Sequence, residues 1–172
     1  MISILALMLQ AAAAPAPAAP WTVAPRPNAD PTITSTVAGV SSADGNARLL
    51  LRCDAGKVKV VSLQLFTRTP LAAGPNRPVN VSIDGLTPLS DNWEFVDKGA
   101  FLRADQPMTK MASALATAKS IQIHTTTATG EPVDATFTGP ATNEPVVAIL
   151  TACDYKLGEL PVRPKEKKGK KD

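Results

Sequence analysis

At 172 residues the chain suits one domain with appendages. Hydrophobic residues make up 44% of it but aromatics only 4%, so a core must be assembled from Val, Leu, Ile and Ala. The net charge of +3 is unevenly held: from Lys156 onward seven Lys/Arg oppose three Asp/Glu, a local +4 that leaves −1 on the rest. That weakens a nucleic-acid reading of the folded part, which would want Lys and Arg grouped on one face, so no nucleic acid is expected there.

The chain opens MISILALMLQAAAAPAPAAP. An apolar run over residues 2–9, followed by small residues, has the layout of a secretory leader with Ala-x-Ala cut sites, although no Lys or Arg precedes the run. Residues 1–19 are read as a signal peptide, cut after Ala13 or Ala18, which places the protein in a bacterial periplasm or outside the cell. The run is too short to span a bilayer, which takes about 20 apolar residues. Residues 20–31 are rich in Pro and Ala, and proline fixes φ and lacks an N–H, so this stretch reads as an extended linker. The β-rich domain is expected over residues 32–157.

Residues 33–37 form a first, weak strand. In residues 48–53, Leu49, Leu51 and Cys53 alternate with Arg48, Leu50 and Arg52, the period-two pattern of a half-buried strand. Asp54-Ala55-Gly56 reads as a three-residue hairpin loop with Gly56 left-handed. Residues 57–66 return as the partner strand. Val58 and Val60 share one phase and Val61, Leu63 and Leu65 the other, so a β-bulge between Val60 and Val61 is expected. Residues 67–78 read as a loop. Val79, Val81 and Ile83 mark another strand, ended by Asp84-Gly85. Two short strands, 93–96 and 100–103, flank Asp97-Lys98-Gly99.

Then the period changes. Pro107 suits a first helical turn, and Met108, Met111 and Leu115 recur at helical spacing, with Lys119 near the C-terminal end. The two methionines read as core filler. Residues 120–127 and 132–138 form a second hairpin around Thr129-Gly130, with Ile121, Ile123, Val133, Ala135 and Phe137 inward. Asn143 is placed to cap a last helix, in which Val146, Ile149, Leu150 and Cys153 fall at i, i+3, i+4 and i+7. Cys53 and Cys153 are the only cysteines, and both point inward from their elements. In an exported protein this predicts a disulfide between them.

Few catalytic arrangements are open to this composition. His124 is the one histidine and shares its strand face with Gln122 and Thr126, so it is read as a solvent-facing residue. No zinc-ligand spacing, G-x-S-x-G, P-loop or C-x-x-C occurs, and no metal or cofactor is expected. Asp91, Glu94 and Asp97 are the candidates for a paired-carboxylate, cell-wall-acting enzyme, weighed against their reading as solvated turn residues. Residues 158–172 form a basic tail. Its cations Arg163, Lys165, Lys167, Lys168, Lys170 and Lys171 suit either a solvated tail or an adaptor to an anionic surface.

The segments RLLLRCDAGKVKVV, VNVSIDG, AFL, IQIHTTTATGEPVDATFTG and AILTACDY, with Trp93 among them, resemble the periplasmic VasI/TagO-like family associated with type VI secretion. There is a more distant likeness to the invasion-associated locus B family of secreted β-rich proteins. The resemblance spans residues 48–155 and rests on strand ends, turns and the cysteine pair. It departs from the pattern at Ser82, where a basic residue before Asp84-Gly85 would be expected. It implies an envelope β-fold with an auxiliary role and an envelope protein as partner.

The fold expected is mainly β (α+β): an antiparallel β-sandwich or open barrel with two short helices, one of them disulfide-linked. The function expected is that of a non-catalytic exported binding or accessory module.

Overall fold

A computed structural model describes residues 21–162. Residues 1–20, with the expected leader, and residues 163–172 of the expected basic tail, with Arg163, Lys165, Lys167, Lys168, Lys170 and Lys171, lie outside the described residues.

Nine strands and two helices are found among the described residues. The strands are Thr22–Arg26 (β1), Thr34–Ser41 (β2), Ala47–Ala55 (β3), Lys59–Thr67 (β4), Gly74–Ile83 (β5), Leu89–Val96 (β6), Gly99–Leu102 (β7), Ser120–Thr126 (β8) and Pro132–Thr138 (β9). The helices are Asp105–Leu115 (α1) and Glu144–Ala152 (α2). All strands join one antiparallel sheet in the order β1-β2-β3-β4-β7-β6-β5-β8-β9. Of the two expected architectures, the single sheet realises the open barrel. Because β7 rather than β5 lies beside β4, the four strands β4-β7-β6-β5 make a Greek key.

Alternation sets the inward face. Leu49, Leu51 and Cys53 lie opposite Leu65, Leu63 and Val61, and all six are buried in one core with Val79, Val81, Trp93, Phe95, Ile121, Ile123 and Phe137. The sheet curls until its far strands approach each other. The Trp21 indole N–H donates to Thr138 O at 2.8 Å, and Ala43 N to Thr136 O at 3.3 Å.

The two barrel ends are closed differently. β7 and β8 are not neighbours, so the chain must cross β6 and β5, and α1 makes that crossing with Met108, Met111, Ala112 and Leu115 turned inward. α2 lies at the same end, burying Val146, Ile149 and Leu150. Tyr155, just after α2, donates from its hydroxyl to Asp105 at the start of α1 (3.2 Å) and to Lys59 O (3.4 Å). Cys53 and Cys153 form a disulfide here, with Cα atoms 5.7 Å apart and both residues buried. At the opposite end the six-residue β4–β5 connection crosses the opening and inserts Leu71, which is fully buried. Arg77 holds that connection. Its Nη2 donates to Leu71 O at 2.8 Å and Ala72 O at 3.3 Å, while the guanidinium rests 3.8 Å over the Phe95 ring. Ala72 sits at φ 60°, a left-handed conformation that a side chain disfavours.

Several expectations are corrected. Residues 20–31 are not simply a linker: Trp21 is buried and β1 pairs with β2. Pro25 is tolerated there because β1 is an edge strand and has one side without a ladder to satisfy. The first hairpin turn is Gly56-Lys57-Val58 rather than residues 54–56, and Gly56 does not take a left-handed φ. With the turn moved, β3 and β4 pair from Ala47–Thr67 to Ala55–Lys59 in unbroken register. Val58 is left 60% exposed in the turn, and no bulge between Val60 and Val61 is needed. The irregularity lies instead between Gly74 and Arg77, within the expected loop 67–78, where β5 begins early. Lys119 lies beyond the last turn of α1. Asn143 stands at the N-cap of α2, but its side chain makes no cap bond.

Candidate functional site

The barrel interior is filled by side chains, so a ligand must be met outside the core. A recess lies at the end closed by Leu71, where three segments converge. It has a volume of about 450 Å³.

The first segment is the β2–β3 turn. Ser42, Asp44 and Asn46 fold it on themselves. Asp44 accepts from the Ser42 hydroxyl (2.5 Å), from Asn46 N (3.0 Å) and from the Asn46 amide (2.8 Å). Ser42 Oγ in turn accepts from Ala47 N at 2.8 Å. These donors, the Ser42 hydroxyl foremost, lower the Asp44 carboxyl to about 2, so it is ionised at any ordinary pH. Gly45, at φ 69°, supplies the left-handed corner.

The second segment is the end of β4. Arg68 N donates to Asn46 O at 2.8 Å and Thr67 N to Lys98 O at 3.0 Å, which fixes this strand end against two neighbouring turns. The third is the β8–β9 turn. Thr127 N donates to Glu131 O at 2.9 Å, Glu131 N returns a bond to Thr127 Oγ1 at 3.1 Å, and Gly130 takes φ 86°. Ala128 N also donates to Leu71 O at 3.2 Å, tying this turn to the plug.

Three carboxylates, Asp44, Glu131 and Asp134, and one guanidinium, Arg68, therefore line one recess, with Asn46 and the threonines between them. Its walls are held by their own backbone bonds, and the Asp44 and Asp134 carboxylates are held in addition by Ser42, Asn46 and His124. Asp134 meets His124 Nδ1 at 2.8 Å across the β8–β9 pair, on the outer face. Among the described residues no group of three or more His, Cys, Asp or Glu is placed to hold a metal ion.

The residues singled out from sequence fare variously. Cys53 and Cys153 are joined. His124 faces solvent, half exposed, and pairs with Asp134. Asp91 follows the inward phase of Trp93 and Phe95, while Glu94 is on the opposite face and bonded to Arg103 at 3.1 Å. Asp97 occupies the β6–β7 turn at φ 48°. These three do not converge on one cleft. Asp44, Arg68, Glu131 and Asp134 were not singled out in the sequence: the Thr129-Gly130 turn was legible, while the Asp44-Gly45 turn and the meeting of the two carried no signal that was read.

No family model matches the chain, and no curated protein or solved structure matches it. Two findings bear on where it works. The disulfide fits an oxidising compartment, and among the described residues no helix is long and apolar enough to cross a membrane.

Proposed function

We propose that this is an exported, non-catalytic binding module of the bacterial envelope that holds its ligand at the turn-lined end of the barrel. The observation that carries this reading is the convergence of two self-bonded turns and the end of β4 on a polar recess of about 450 Å³. Loops displayed by a rigid scaffold are where β-barrels place recognition, because loop residues are free of packing duties. The buried disulfide and the leader-like residues 1–19 support export. The sequence resemblance to type VI secretion-associated periplasmic proteins supports an auxiliary role beside other envelope components. The disulfide and the two helices make the opposite end a foundation, leaving the recess as the working surface.

The test is a panel of purified envelope glycans and peptides presented to the immobilised protein. Wild type is expected to retain a defined ligand that Glu131→Arg and Asp134→Arg each release. Retention of nothing by the wild type, or equal retention by both variants, removes the recess from the function. An intact mass with and without reduction before alkylation tests export separately. Loss of the first 13 to 18 residues together with thiols protected until reduction is the expected result.

A further inference from the structure

We infer that the recess docks residues 163–172 of a second copy of this chain, joining molecules head to tail. This rests on the reading of the recess as a binding site and names its occupant. Charge complementarity carries it. Residues 163–172 hold six cations, Arg163, Lys165, Lys167, Lys168, Lys170 and Lys171, against Glu166 and Asp172, a net +4. The recess holds Asp44, Glu131 and Asp134 against Arg68, a net −2. Among the described residues neither Glu131 nor Arg68 has an ion-pair partner, so the recess keeps charge to offer. The folded part before Lys156 carries −1 overall, so its field does not repel a cationic segment.

Reach argues for a second copy. Gly158 packs beside Ser113 of α1, at the helix end of the barrel, and the recess is at the other end. The nine residues of β4 span most of the barrel, and a helix layer adds to that, about 40 Å together. Arg163 is five residues past Gly158 and Lys165 seven, so even a fully extended chain carries them only about 17 and 25 Å, and an extended side chain adds only about 6 Å. The first part of the cationic segment therefore cannot enter its own recess. It can enter another molecule's. Such a contact joins unlike surfaces, and copies of it build chains or rings rather than closed two-fold dimers.

The experiment is sedimentation equilibrium of the full chain over a range of concentrations, at about 0.02 M and about 0.5 M salt. A mass that rises with concentration at low salt and falls back at high salt is expected. A free peptide of residues 163–172, in excess, is expected to return the protein to monomer. Glu131→Gln with Asp134→Asn, both on surface positions that leave the Asp44 turn intact, should weaken association about two- to thirtyfold. Arg68→Glu, which adds negative charge to the recess, should strengthen it by a similar factor. A monomer under every condition, or association that ignores the peptide and both variants, overturns the inference. If the recess retains an envelope ligand while the protein stays monomeric, the binding role stands and only this occupant is wrong.

Discussion

The two ends of the barrel solve one problem in opposite ways. Both must keep water from a mainly aliphatic core that also holds Trp93, Phe95 and Phe137. The helix end does it with apolar area and a covalent bond: α1 and α2 bury Met108, Met111, Leu115, Val146, Ile149 and Leu150, and Cys153 is tied to Cys53. The turn end does it with one plug, Leu71, and a lattice of backbone and side-chain hydrogen bonds around it. Apolar area is non-directional and stabilises without shaping a surface. Hydrogen-bonded turns contribute less but fix the positions of the charges they carry. A molecule with one end of each kind has a foundation and a displayed face.

The largest effect should come from the helix end. The disulfide closes a loop across a sequence separation of 100 residues, worth on the order of 4–5 kcal/mol in the chain-entropy model. Cys53→Ser with Cys153→Ser should lower the urea midpoint accordingly, without altering the recess. A change below about 1 kcal/mol would show that helix packing alone secures that end. Next, Leu71→Ala should cost about 2–5 kcal/mol in the same assay, since the site is fully buried and its neighbours are held by strand pairing. A negligible cost would mean that the turn end closes by hydrogen bonds alone, and would break the parallel between plug and helices.

Acid should loosen the turn end. The Asp44 carboxyl is lowered from the ordinary 3.8 to about 2 by its bonds to Ser42 and Asn46. A group lowered on folding contributes stability above its unfolded pKa and loses it as pH falls through the folded one. The β2–β3 turn should therefore loosen between about pH 4 and pH 2, read as faster amide exchange at Asn46 and Ala47. Asp84 is also lowered, by the Ser120 and Lys119 amides it accepts from, so the link between the β5 end and the start of β8 should weaken in the same direction. The smallest effect on stability is expected from Glu131→Gln with Asp134→Asn, within about 0.5 kcal/mol, measured by thermal unfolding. A larger loss would mean that the recess is part of the foundation after all.

Much of the fold was legible residue by residue. Alternation at Leu49-Leu51-Cys53 and at Ile121-Ile123 named the inward faces, and helical spacing named Met108, Met111, Leu115 and Cys153 as buried. The misreadings came where a local rule met a long-range partner. A proline-rich stretch looked like a linker until Trp21 found Thr138 across the barrel. The β3–β4 turn shifted because pairing Cys53 with Val61 serves the core better than the glycine signal serves the turn. Gly139 shows the same dependence. A Cβ there would lie 1.9 Å from Ala118 O, a close approach set by two segments meeting and invisible in either alone.

What the sequence by itself determined is therefore local: which face of each element is apolar, which two faces carry the cysteines, and how charge divides between the folded part and its tail. Periods of two and 3.6 encode these without reference to distant residues. Strand order, the meeting of the sheet's far strands and the gathering of Asp44, Arg68, Glu131 and Asp134 around one recess were decided by the tertiary structure alone. They depend on which strands pair across long separations, and that choice is made by the whole core at once.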